Sequence, residues 1–141
     1  NNEEKNISAD APRFSLFHWV LADIPSALSN LTEGAESDGI QPGGKDAGQT
    51  DHGVRGINGY TDWFATDEQM KGNYGGYDGP CPPWNDDRIH HYHFSVYALD
   101  VRNLGLGENF TGSDLIDAMQ DHILAKGEYL GTYTLNPALR K

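Results

Sequence analysis

The chain has 141 residues and a formal net charge of -11, from 21 acidic against 10 basic side chains. A nucleic-acid backbone or an anionic membrane surface repels such a chain at long range, which argues against a nucleic-acid partner. The one cysteine, Cys81, excludes an intrachain disulfide and a cysteine-rich zinc site, and no apolar run approaches the ~20 residues that span a bilayer.

Residues 1–13 read as a loop that ends in Asp10-Ala11-Pro12, and the polar start carries no signal-peptide pattern. The compartment, cytoplasmic or periplasmic, stays open for a chain read as soluble. Residues 14–22 are almost wholly apolar, with His18 in the middle. A short run rich in aromatic and β-branched residues, stopped by Pro25, predicts a strand covered on both faces. From Ser26 to Gly59 the composition shifts to glycine, serine, aspartate and asparagine without helical periodicity. Residues 26–73 are therefore expected to form a long loop insertion, with a short helix somewhere in 60–73 and room for short hidden strands.

A second turn-rich stretch covers 74–87, and His90 to Leu99 then predicts a strand. On a period of two, His90, Tyr92, Phe94 and Val96 share one face, and His91, His93, Ser95 and Tyr97 share the other. Residues 112–126 predict a helix. Thr111 and Asp114 have capping-box spacing, Leu115, Ile116, Met119, Ile123 and Leu124 recur at helical spacing, and Gly127 supplies a stop. Tyr129 to Leu135 predicts a terminal strand. With 17 glycines and 7 prolines among these elements, a mainly β, turn-rich single domain follows.

Three features offer one anion site. They are Asp10 before the strand bearing His18, the turn Gly79-Pro80-Cys81-Pro82-Pro83, and the strand that opens with His90 and Tyr92. An imidazole donates to an anion oxygen when a carboxylate or carbonyl holds its other nitrogen, and Asp10 is the candidate for that holding role. Locked φ angles stiffen the proline turn, so the amides of Gly79 and Cys81 can face an anion without an ordering cost. Each feature also has a plainer reading. Asp-Ala-Pro is a common turn, a histidine on an apolar strand is usually a satisfied core residue, and adjacent prolines can simply end a loop. The alternative chemistry is a hydrolase or metal-dependent enzyme built on His90, His91 and His93, with His52 or His122 as further ligands, or on Cys81 as nucleophile.

The same residues resemble a known family. Asp10-Ala11-Pro12, then His18-Trp19-Val20-Leu21 and Ile24-Pro25, resembles the first signature of the phosphatidylethanolamine-binding proteins, Asp-Pro-Asp-Ala-Pro followed by a histidine on a strand. Gly79-Pro80-Cys81-Pro82-Pro83 followed by His90-His91-Tyr92 resembles the second, a Gly-x-Gly-Pro-Pro or Gly-Pro-Cys-Pro-Pro turn leading to His-Arg-Tyr. Gly127-Glu128 and Gly131-Thr132-Tyr133 resemble the end of the bacterial, Raf kinase inhibitor-like branch, whose turn also carries the cysteine.

The resemblance implies a β-sandwich with a few peripheral helices and a small pocket for phosphate-like groups, including phospholipid headgroups. Carried over, that pocket is Asp10, His18, Gly79, Cys81, Pro82, Pro83, His90 and Tyr92, with His18 and His90 as principal donors. It further implies a binding protein rather than an enzyme, with no cofactor or resident metal, and a homodimer like many bacterial members. No biochemical role transfers from that branch. A regulatory or inhibitory role toward a protein partner is a separate reading, with the glycine- and aspartate-rich stretch and Trp63 as its contact surface. The sequence departs from the pattern in two places. Ser8 stands where the family has its first aspartate. The chain also starts almost at the first signature, without the early strands that family members carry before it, as expected of a fragment, of a processed chain with a separate partner segment, or of a chain with residues left out.

Overall fold

A computed structural model describes residues 6–140. In chain order the elements are β1 (Leu21–Ala22), β2 (Gly48–Thr50), β3 (Gly53–Arg55), α1 (Tyr60–Trp63), β4 (His90–Leu99), α2 (Gly112–Met119), β5 (Ile123–Tyr133) and a final 3-10 turn (Pro137–Leu139). One antiparallel sheet has the order β1-β3-β2, and a second joins β4 to β5. Strand outweighs helix, as the composition predicts. The chain divides into two compact units. Among the described residues, one holds 6–15, Pro80–Tyr97 and 126–140; the other holds Leu16–Gly79 and Ala98–Ala125.

In the second unit, Val20, Ala22 and Phe110 form the core, with Val54, Leu106 and Leu115 packed against them. Close backbone approach explains two glycines here. A Cβ on Gly53, whose φ is +147°, would stand 2.6 Å from the carbonyl oxygen of Ala22 on the neighbouring strand. One on Gly56 would stand 2.4 Å from the carbonyl oxygen of Phe110. Both distances are far inside van der Waals contact, so only glycine lets these segments meet.

The apolar run 14–22 is extended but joins a ladder only at β1. Three of its other carbonyls pair singly with loops: the amide of Gly59 donates to Phe17 O, that of Asp78 to His18 O and that of Gly56 to Val20 O, at 2.7, 3.1 and 3.0 Å. Phe14 and Phe17 are 73% and 41% exposed, so the run is not covered on both faces as its composition suggests. The glycine-rich stretch does hide strands, β2 and β3, and α1 lies at Tyr60–Trp63, inside the region where a short helix is expected.

The helix expected over 112–126 ends at Met119. Its start is as predicted: Thr111 Oγ1 accepts from the Asp114 amide at 3.2 Å, and the Asp114 carboxylate accepts from the Thr111 amide at 2.8 Å. Ile123 and Leu124 belong to β5 instead, and Gly127 lies within that strand rather than stopping the helix. Backbone pairing with β4 captures residues whose side-chain spacing also fits a helix.

In the first unit, Ile7 lies in parallel register beside Asp86, with Ile7 N donating to Asn85 O at 2.8 Å and Asp87 N to Ile7 O at 3.0 Å. The strand expected from His90 to Leu99 is β4 itself. His90, Tyr92 and Phe94 are half-buried and His91, His93 and Ser95 exposed, as the alternation predicts. The pattern then shifts: Val96 is exposed, while Tyr97 and Leu99 are half-buried.

Candidate functional site

The turn after Pro83 builds the most organised polar cluster of the first unit. The amide of Asp86 donates back to Pro83 O at 3.2 Å, which turns the Asp86 side chain inward, where the residue is 1% exposed. Arg13 grips its carboxylate with both ends of the guanidinium, Nη1 to Oδ2 at 2.9 Å and Nη2 to Oδ1 at 2.8 Å. The Arg88 amide donates to Oδ1 at 2.9 Å, and the Asn136 side chain donates to the Asp86 backbone carbonyl at 2.9 Å. His90 Nε2 lies 2.7 Å from Oδ2. Burial alone would raise the Asp86 pKa, but the hydrogen bonds from His90 and the Arg88 amide and the charge of Arg13 outweigh it and hold the carboxyl below its ordinary value. An ionised carboxylate only accepts, so Nε2 of His90 is the donor of that bond. The His90 ring also stacks against Tyr92, with centroids 6.4 Å apart and an interplanar angle of 26°.

The second unit anchors its histidine by a different acceptor. His18 Nδ1 lies 2.8 Å from the backbone carbonyl of Asp78, and since a carbonyl only accepts, Nδ1 carries the proton. The ring meets Tyr60 edge-on, 5.3 Å between centroids at 82°. The Asp78 side chain is fully buried: Asn58 Nδ2 donates to Oδ2 at 2.6 Å, and Lys45 Nζ forms an ion pair with Oδ1 at 2.7 Å. Gly79, the next residue, is half-buried. A separate buried carboxylate in this unit, Glu36, accepts from Arg55, Trp19 and His52.

The remaining expected positions fall as follows. Pro82 is buried, Pro83 and Cys81 are exposed, and Asp10 is exposed with its amide donating to Ser8 Oγ at 3.3 Å. The acceptors that hold the two imidazoles are the Asp86 carboxylate and the Asp78 carbonyl, in place of the Asp10 carboxylate that the sequence suggests. Of the histidines weighed as metal ligands, His90 turns to Asp86 while His93 and Ser95 turn to Glu128, at 3.1 and 3.0 Å. Hydrogen bonds from Lys126, His93 and Ser95 lower Glu128 to about 2. His52 pairs with Glu36 and His122 with Asp100. Among the described residues no three His, Cys, Asp or Glu side chains are grouped as a metal site.

Sequence reasoning missed Arg13, Asp86, Asp78, Asn58 and Lys45. Asp86 had a local signal, since it precedes His90 by four residues in a turn rich in aspartate. Arg13 had none, because it meets its partner 73 residues away.

Comparison with known proteins adds an independent line. The family model described as phosphatidylethanolamine-binding protein matches residues 7–134. UPF0098 protein PH1269 of Pyrococcus horikoshii is 33% identical over 88% of this chain and 52% of its own length. A UPF0098 protein of Chlamydia muridarum is 34% identical over 93% of this chain and 68% of its own. Two crystal structures superpose. The putative phosphatidylethanolamine-binding protein homologue CT736 of Chlamydia trachomatis has a TM-score of 0.58 at 34% identity, covering 84% of this chain and 57% of its own. E. coli YbcL, described as a member of the mammalian family, has a TM-score of 0.62 at 27% identity, covering 89% and 65%. The chain thus spans between about half and two thirds of the length of these relatives.

Proposed function

Because the chain belongs to the phosphatidylethanolamine-binding protein family, we propose that it is a non-enzymatic binding protein for small phosphate-like anions, free or as phospholipid headgroups. The observation that carries this reading is His90 held at 2.7 Å by a buried, ionised Asp86 that Arg13 clamps from the other side. Such an imidazole is oriented before any ligand arrives, which lowers the ordering cost of binding. In this reading His90 meets the anion, Tyr92 adds a hydroxyl, and Cys81, Pro82 and Pro83 form a stiff turn whose Cys81 amide is a further donor; Asp10, His18 and Gly79 are carried by the family resemblance alone. Membership in a family named for binding supports the coarse role, and the anchored histidines support the chemical class of the ligand.

Calorimetric titration of the wild type and of His90→Ala with inorganic phosphate, phosphorylethanolamine and citrate tests the proposal. A hydrogen bond to a charged partner is worth about 1.5–3 kcal/mol, so the variant should lose roughly tenfold or more in affinity. Indistinguishable binding heats from the two proteins refute it.

A further inference from the structure

We infer that anion binding at His90 takes up one proton, because Asp86 has already claimed the only N–H that a neutral imidazole possesses. This rests on the anion-binding reading above. A neutral imidazole has one donor and one acceptor nitrogen. Nε2 of His90 faces Oδ2 of Asp86 at 2.7 Å, and that oxygen also accepts from Arg13 Nη1 at 2.9 Å. The carboxylate is therefore committed as an acceptor and fixes the Nε2–H tautomer. The other nitrogen, Nδ1, is then a bare acceptor that repels an unprotonated phosphate oxygen. Two arrangements restore a hydrogen bond there. Either Nδ1 is protonated and the imidazolium donates to the anion, or the ligand keeps a P–OH that donates to Nδ1. Both contain the same extra proton, lying between Nδ1 and the ligand oxygen.

The charge balance leads to the same result. Arg13 and Asp86 form an ion pair that is neutral as a unit, so a neutral His90 adds nothing to attract an anion. Tyr92 stacks on the ring; Asp87 and Arg88 follow Asp86 in the turn, and His91, next along β4, is exposed on the opposite face. Asp87 and Arg88 are exposed and opposite in sign, so they offset one another. In a chain of net charge -11, a proton is the counter-charge the cluster can recruit. Asp86 is in this sense a positioning residue. It touches no ligand, but it decides which nitrogen faces outward and in which protonation state that nitrogen can bind. The favoured ligand class is then a phosphomonoester or inorganic phosphate, which can carry the proton itself. A phosphodiester cannot, and must rely on the imidazolium alone.

The test is titration of phosphorylethanolamine into the wild type at pH 8, in two buffers of different ionisation enthalpy. There the ligand, with a second pKa near 6, is fully deprotonated. The dependence of the observed heat on buffer should give close to one proton taken up per ligand bound, and affinity should fall about tenfold per pH unit above 8. His90→Gln should bind weakly with uptake near zero. Asp86→Asn frees the tautomer, so the uptake per ligand bound should fall. Wild-type binding with no proton uptake overturns the inference and leaves the anion-binding reading intact, as does undiminished uptake in His90→Gln. Absence of any binding by the wild type in either buffer overturns both.

Discussion

Asp86 is 1% exposed, and a carboxylate so placed stays ionised only if the protein replaces the water it has lost. Three donors do so: the Arg13 fork, the Arg88 amide and His90. Arg13 holds it by two charge-assisted bonds and is itself partly exposed, at 30% of its side chain. Replacing it by methionine keeps much of the packing and strips the fork, so Arg13→Met should cost about 2 kcal/mol in urea denaturation at pH 7. The pH dependence follows from the lowered pKa of Asp86. A carboxyl depressed in the folded state contributes stability that is fully present above its unfolded value, near 3.8, and is lost as the pH falls through the depressed folded value. Wild-type stability should therefore decline below about pH 4, and Asp86→Asn should show a flatter acid limb. An acid limb of unchanged slope in Asp86→Asn would assign that loss to other carboxylates.

Among the elements, the local signals that the backbone itself enforces were the readable ones. The capping box at Thr111 and Asp114 forms as the spacing indicates, and removing it by Thr111→Ala should destabilise the protein by about 1 kcal/mol in chemical denaturation. A change within a few tenths of wild type would mean that tertiary packing of Met119 and Leu115, not the cap, sets the start of α2. The alternation in His90 to Leu99 likewise announced β4. What could not be read was competition between distant partners. Ile123 and Leu124 suit a helical face, yet β4 offers their backbone a ladder, and the ladder wins. The apolar run before Ala22 suits a strand, yet the carbonyls of Phe17, His18 and Val20 each take a single amide from outside any strand. Each outcome depends on a segment far away in sequence, which a local pattern cannot carry.

On the scale of the whole molecule, two short motifs and their order pointed to the family, and the match over residues 7–134 bears that out. The mainly β class was also legible, from glycine and proline content and from period-two strands. The groups that hold the histidines were not. Arg13 reaches Asp86 across 73 positions and Lys45 reaches Asp78 across 33, so their roles exist only after folding. A net charge of -11 argues against broad attraction for anions, which makes a locally organised donor the requirement for the proposed function. His90, fixed from behind and stacked on Tyr92, is where the structure concentrates that organisation within the first unit.

The most direct measurement is the nitrogen NMR spectrum of the His90 imidazole during titration with inorganic phosphate. The free protein should show the Nε2–H tautomer, and added phosphate should shift Nδ1 toward its protonated position in saturable fashion. A free ring with the proton on Nδ1, or His90 nitrogen signals that ignore phosphate at saturating concentration, would contradict this account.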